Sequence, residues 1–530
     1  MSELTPEQIY AAHREIQEHE IVVDALEEQI RSLLTEVQKL RKEQQQRREA
    51  INQCKGAISL LRRIPEDILI QIFEHCVQDG WTLAPVVVSG VSRAWRKAAR
   101  APRVWSHVYV DFDSPKVLWR VRSWLANARQ APLHITLTES WNAHGPLLHE
   151  VMDMLVQHIP QWHTLSVESR TIQHANALFS YLTGPAANLR EVDIVTEFHF
   201  HNELDGEHND IISLQDAFKP EYTPNLSRIR YESNVLPATA IFPPHIHDLH
   251  LKVTESPSAR ALSAASIIML LESLPSLRSL SLEMPLFYEQ PFVPEIEQSR
   301  TVTLPDLESL TLYGPTDLNE VLHHFRCPAL RFLYLRSLEE MGYRQEPIGP
   351  SLLNFIQGSQ PPLELLELHD IDLTPAAFSA SFVALSNLRE LRLHESSISD
   401  ETVRLLHGPG ALCPRLSRLD LRWCGHLSGR ALVELVRSRN IVDLERAASG
   451  GSGGQADPIT EIGVINCCFV REQDILDLAA LTVCRVVMRE KDDYCRACDC
   501  CGNTRYRTRL RLRHMTNLSI QERASIHLII

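Results

Sequence analysis

The sequence predicts a mainly α/β solenoid, a curved parallel sheet with outer helices, preceded by an all-helical domain and an N-terminal coiled-coil helix. Three observations carry this reading. Apolar residues recur at alternating steps of three and four up to Leu61, a proline-punctuated run of short helices follows, and a leucine-rich strand signature then recurs along most of the remaining chain. A chain of 530 residues also exceeds what one small core supports, so more than one folding unit is expected.

The first segment, 1–61, reads as an amphipathic helix. From position 23 to position 40 every seam residue is strongly apolar (Val23, Leu26, Ile30, Leu33, Val37, Leu40), while Glu27, Glu28, Arg31, Glu36 and Lys39 take the outside. Gln44 and Arg47 then interrupt the seam. Its partner is a second copy of the chain, another protein or the chain's own body, and any self-association through so short a seam is expected to be weak.

At Ile64-Pro65 the helical register is cut, because proline suits the first turn of a new helix and discourages the residue before it from continuing an old one. Glu66 and Asp67 place negative charge at the new helix start. Ile68, Leu69, Ile72, Phe73 and Cys76 give it a broad apolar face. A connector through Gly80, Trp81 and Pro85 leads to VVVSGVSRAWRKAAR, read as a second helical run with Val87, Val91, Ala94, Trp95 and Ala98 on one side. Pro102 and Trp105 open a third piece that passes into the strand-like SHVYVDF.

These residues resemble the F-box domain, in the form abundant in basidiomycete fungi. Pro65, Glu66, Ile72, Phe73, Val91, Arg93, Trp95, Pro102 and Trp105 match the family pattern, and Ile64, Ser92 and Val104 replace its usual Leu, Cys and Leu. The resemblance covers 62–110. It implies docking on a Skp-type adaptor, and through it on a cullin, by way of Pro65, Ile68, Leu69, Ile72 and Phe73, backed by Val91 and Trp95.

Beyond the helices, a period of two takes over. LRSLSLEM, LESLTLYG, LRFLYLRS, LELLELHD, LRELRLHE and LSRLDLRW begin at Leu277, Leu307, Leu330, Leu363, Leu388 and Leu416, with weaker members at Trp162, Leu189, Leu226 and Ile246. The uneven spacing of the six leucines leaves room, each time, for one strand and one return element. LNEVLHHFR, SLLNFIQG, SDETVRLLHG and GRALVELVRSR carry helical spacing, with Ser399 placed as a helix start and Gly408 as a stop. Each repeat has one strand face and one helix face that only stacking can bury.

This pattern resembles an irregular leucine-rich-repeat domain over 111–445, as in the class of F-box proteins that carries such repeats. The family's usual Asn or Cys after the strand is mostly missing, with Cys424 and Cys413 coming closest. Loops at 198–210 and 283–306 interrupt the series. The stretch 446–458 is read as a Gly-rich flexible loop, and 459–530 as a repeat continuation or cap.

Function classes narrow by charge and motif. With 53 Lys and Arg against 67 Asp and Glu, the net charge of -14 disfavours nucleic acid, and arginines at 505, 507, 509, 511 and 513 supply only one edge of a strand. The longest apolar runs, 267–271 and 463–470, are far short of the roughly 20 residues of a membrane helix, so no membrane contact is expected. The acidic N-terminal residues do not follow the order of a secretory signal, which leads to an expected location in the cytoplasm, the nucleus or both. No phosphate-cradling glycine loop, HExxH or GxSxG is present, and the chain is read as no enzyme, with no cofactor.

Cys495, Cys498, Cys500 and Cys501 crowd into one short stretch; a reduced loop, zinc and redox chemistry all remain open for them, and no metal site is assigned. His245, His247 and His250 alternate at a strand entrance, a poor arrangement for one metal.

By resemblance the chain is a substrate-recognition adaptor of a cullin-type ubiquitin ligase, or else a non-ligase interaction scaffold built from the same modules. The target would meet the strand side of the repeats. In LRELRLHE and LSRLDLRW the leucines point inward, which turns Arg392, Arg418, Asp420 and Arg422 outward, either to select a partner or only to keep the repeat surface soluble.

Overall fold

Steps of three and four keep apolar side chains on one stripe of a helix, and Pro6–Ile58 is a single uninterrupted helix of 53 residues in the computed structural model. The seam residues Val23, Leu26, Ile30, Leu33, Val37 and Leu40 are exposed along it. The structure describes residues 6–58, 64–138, 146–169, 172–182, 184–196, 214–233, 242–254, 264–284, 300–314, 321–337, 348–396, 398–408, 410–424, 426–447, 456–467 and 469–486. The loop at 198–210, most of the one at 283–306, the glycines of 446–458, the cysteines at 495–501 and the arginines at 505–513 lie outside the described residues. Two compact units meet in sequence between Val104 and Trp105.

In the first unit, Pro65 precedes the helix Glu66–Gln78, and its carbonyl accepts from the Leu69 amide at 3.1 Å. The next run is two helices, Ala84–Val91 and Arg93–Ala98, where a single one was expected. Ser92 makes the break. Its backbone is extended at φ -157, and its hydroxyl accepts from the Trp95 amide at 3.2 Å, an N-cap that ends one helix and starts another. Val87, Val91 and Ala94 therefore do not share the inward side with Trp95 and Ala98; all three are exposed.

In the second unit the period of two becomes a single parallel sheet. Its strands are β1 (His107–Asp111), β2 (Leu133–Thr138), β3 (Trp162–Ser169), β4 (Glu191–Thr196), β5 (Arg228–Ser233), β6 (Asp248–Val253), β7 (Ser279–Glu283), β9 (Ser309–Gly314), β11 (Phe332–Ser337), β12 (Leu365–His369), β13 (Glu390–His394), β14 (Arg418–Arg422), β15 (Glu461–Ile465) and β16 (Val483–Val486). They pair in that order. Two short strands, β8 (Val302–Thr303) and β10 (Phe325–Arg326), pair separately. Helices including Gly349–Ser359, Pro375–Phe382, Asp400–Arg404 and Gly429–Ala447 return the chain between strands. The result is an unclosed α/β solenoid. Ser399 caps Asp400–Arg404 by accepting from the Thr402 amide, and Gly408 takes a φ of +56 beyond it. Within LNEVLHHFR, where a helix was expected, the described residues form a 3-10 turn, Val321–His324, that runs into the short strand β10.

The leucine signature works through three buried positions per repeat. In the β13 repeat these are Leu388, Leu391 and Leu393, in the β14 repeat Leu416, Leu419 and Leu421, and in the weaker β4 repeat Leu189, Val192 and Ile194, all at most 3 % exposed. Each fully buried aliphatic side chain contributes about 1.5–3 kcal/mol, so neighbouring repeats stabilise one another through these rows.

A second repeated device was not legible in the sequence. The residue following each of four strands, Asp370, Glu395, Trp423 and Asn466, is left-handed, with φ between 52 and 60. The first three send their amides to the carbonyls of His394, Arg422 and Ile465 in the next repeat at 2.7–2.8 Å. One residue further on, Ser396, Cys424 and Cys467 are buried and donate to Ile371 O, Leu393 O and Leu421 O. Cys424 thus stands at the expected polar step. Cys413 does not; it lies in the turn before β14 and donates to Phe382 O.

Candidate functional site

Each unit presents one surface with a chemistry of its own. In the helical unit, a helix of mixed burial sorts the expected adaptor residues into two sets. Leu69 and Phe73 are 3 % and 1 % exposed, and the Phe73 ring packs on Trp95 with centroids 5.1 Å apart. Both face the interior of the unit, whereas the expected grouping placed them with Ile68 and Ile72; the i, i+4 spacing that joins Leu69 to Phe73 puts both on the buried stripe. Ile68 and Ile72, on the neighbouring stripe, are each 41 % exposed, and Pro65 is also exposed. Val91 does not back Trp95 from within. It is 58 % exposed, as Val87, one turn earlier, also is at 47 %. Two i, i+4 apolar pairs, Ile68 with Ile72 and Val87 with Val91, thus face outward.

On the repeat unit the open face of the sheet carries the polar half of each strand. Parallel register sets Glu390 beside Arg418, Arg392 beside Asp420, and His394 beside Arg422, so the four expected target residues do fall on one patch. The patch is a network. Arg485 pairs with Glu461 at 2.5 Å, Glu461 with Arg418 at 3.7 Å, and Arg418 with Glu390 at 3.9 Å. Arg392 joins Glu390 at 2.6 Å and Glu367 at 3.3 Å, while Arg422 clasps Asp420 with its closest contact at 2.7 Å. Burial alone would raise the Asp420 carboxyl, but the neighbouring His394 imidazole, 3.8 Å away, and the Arg422 guanidinium outweigh it and bring it down to about 2. Asp420 is an anion at any physiological pH.

The sequence reading missed the centre of this patch. Glu367, His369 and His394 gather beside it, and burial lowers the His369 imidazole below its ordinary range, against the pull of the Glu395 carboxylate 3.3 Å away. The Tyr313 hydroxyl donates to Glu367 at 3.3 Å, and burial followed by that carboxylate pushes the phenol up to about 12. The alternation that singled out Arg392 also marks Glu367 and His369 in LELLELHD, so the signal was there to be used. What it could not supply was the neighbour relation between strands that a whole helical return separates in the chain. His245 turns away from this chemistry, with Nε2 on the Thr223 carbonyl at 2.9 Å.

Residues 61–111 match a family model described as F-box-like. No curated protein matches the chain. Among solved structures, the chain is similar to one in the crystal structure of the yeast Rad7 and Elc1 complex, at 14% identity and a TM-score of 0.32, covering 81% of this chain and 95% of that one. By the family-model match and its own strand order, this chain carries an F-box-like segment ahead of a leucine-rich α/β solenoid.

Proposed function

We propose that this chain is the substrate-recognition subunit of a cullin-type ubiquitin ligase, of the kind abundant in basidiomycete fungi, acting in the cytoplasm, the nucleus or both. A Skp-type adaptor meets the helical segment, with Pro65, Ile68, Ile72 and Val91 making the contact and Leu69, Phe73 and Trp95 holding those residues in place. The target protein meets the open face around Arg392, Arg418, Asp420 and Arg422. The chain's own contribution is proximity: it raises the effective concentration of target at a ubiquitin-transfer centre carried by other subunits, and needs no catalytic residue.

The observation that supports this reading is the outward display of Ile68 and Ile72 inside a segment that matches the F-box-like model. Ile68→Asp with Ile72→Asp tests it by titration of a purified Skp-type adaptor onto the full chain. Loss of two anchors, each worth about 2 kcal/mol when it sits in a hot spot, weakens binding by at least a hundredfold. Equal affinity in a folded double variant sinks the proposal. A non-ligase scaffold is the second reading, favoured by the exposed seam of Pro6–Ile58, which offers a further contact surface for weak self-association. Adaptor binding without a cullin in the recovered complex selects the scaffold.

A further inference from the structure

Among the described residues, three side chains of metal-binding type converge at one place, on the open face of β12 and β13. Glu367 and His369 are two residues apart on β12 and so project from the same face, and the register brings His394 of β13 beside His369. One ligand atom from each lies within 4.8 Å of the other two. His394 Nδ1 is 3.9 Å from Glu367 Oε1, and the two imidazole rings meet edge to face with centroids 5.5 Å apart.

We propose that Glu367, His369 and His394 bind a divalent transition-metal ion of the zinc class. Two imidazole nitrogens and one carboxylate oxygen are a borderline donor set, suited to zinc and its neighbours and poorly suited to magnesium or calcium, which take oxygen alone. Bonds of about 2.0–2.2 Å in a tetrahedron need ligand atoms roughly 3.4 Å apart, so side-chain rotation of an ångström or so closes the triangle.

The surroundings fit this use. Metal-bound histidines ordinarily give their second nitrogen to a carboxylate, which fixes the ring. With Nδ1 on the metal, His394 turns Nε2 toward Asp420 Oδ2, 3.8 Å away, and Arg422 anchors Asp420 in turn. Arg392 and Tyr313 both contact the Glu367 carboxylate and orient it. Another imidazole pair on the same sheet makes a useful contrast: His107 and His134 stack at 4.4 Å across β1 and β2, yet among the described residues no carboxylate joins them in a metal-binding group of three. Three protein ligands leave at least one coordination position for water on the side away from the sheet. The ion would cross-link two repeats in the middle of the polar patch.

The site stands whether or not the chain serves a ligase, and metal alone tests it. The full chain is stripped with a chelator and titrated with Zn2+ by calorimetry, then with Co2+ by absorption. Expected is one Zn2+ fewer per chain in His369→Ala with His394→Ala than in the parent. The parent-minus-variant Co2+ spectrum should show visible ligand-field bands without thiolate charge transfer, which separates this site from the cysteines at 495–501. Glu367→Gln, nearly the same shape and less prone to unfold the repeat, should weaken the same equivalent at least about tenfold. Unchanged zinc stoichiometry in the folded histidine variant, or a difference spectrum dominated by thiolate bands, overturns the assignment and leaves a metal-free histidine–carboxylate network.

Discussion

Arg439 is 1 % exposed, and it is satisfied by backbone carbonyls. From the helix Gly429–Ala447 it reaches back one repeat. Nε donates to Leu406 O at 2.8 Å, Nη1 to Leu416 O at 2.9 Å and, more weakly, to Asp457 O at 3.4 Å, and Nη2 to Leu412 O at 3.0 Å and Cys413 O at 3.2 Å. All but the Asp457 carbonyl belong to the turn that joins Asp400–Arg404 to β14, a stretch whose polar backbone is otherwise hard to bury. Burial lowers the guanidinium's pKa, yet arginine stays charged, and its planar fork spreads that charge over several acceptors where lysine's single ammonium cannot. In Arg439→Met the carbonyls of Leu406, Leu412 and Leu416 lose this donor. Cys413 O keeps the Leu416 amide at 3.0 Å. Three buried carbonyls at about 1–1.5 kcal/mol each come to roughly 4 kcal/mol, partly offset because a buried cation also disappears, for a net loss of about 3 kcal/mol. A solenoid transmits such a loss mainly to neighbouring repeats, so the assay is hydrogen exchange read by segment. Protection should fall over 400–465 by about a hundredfold and stay unchanged in β1 to β5. Unchanged protection at 405–416, or equal loss along the whole sheet, refutes the reasoning.

Phe73→Ala separates burial from contact in the helical unit: truncating this side chain costs about 3–5 kcal/mol and melts the segment, whereas Ile72→Ala leaves its melting within about 0.5 kcal/mol, as paired thermal melts of residues reporting on 64–104 will show. Reversing Arg392 and Arg422 to Glu is not neutral for stability, because it sets new carboxylates against Glu367, Glu390 and Asp420. Arg392→Gln with Arg422→Gln is the gentler variant, expected to lower target recovery while the circular dichroism stays that of the parent. His107 has its pKa lowered to about 4, first by burial and then by His134. A histidine whose folded value is below the unfolded one binds fewer protons when folded, so stability rises with pH between about 4 and 6.5, by about 3 kcal/mol from this group. Urea unfolding at several pH values should show that slope, and His107→Gln should flatten it.

How far the residues alone reached is clearest at three places. Leucines at every second position named the strands from LRSLSLEM onward, since a half-buried strand has one period and leucine fills it on the covered side. The break at Ser92 was not found, because a small hydroxyl residue within an apolar run reads as tolerated until its backbone is seen to be extended. Glu367 and His369 were passed over while Arg392, one repeat later, was chosen, although both rows obey the same alternation.

The sequence by itself determined which residues could be strand, helix or cap, for these depend on neighbours within a few positions: period two, period 3.6, a proline after an isoleucine, a serine before two acids. Tertiary structure alone decided which polar residues became neighbours and which apolar residues stayed outside. His394 meets Glu367 and Asp420 only through parallel register across three strands. Arg439 finds its acceptors in a turn on the far side of β14, a full strand before its own helix begins. Ile68 and Leu69 are adjacent and equally apolar, yet one is exposed and the other buried. Local preference cannot distinguish them, because the difference arises from what packs against each stripe of the helix.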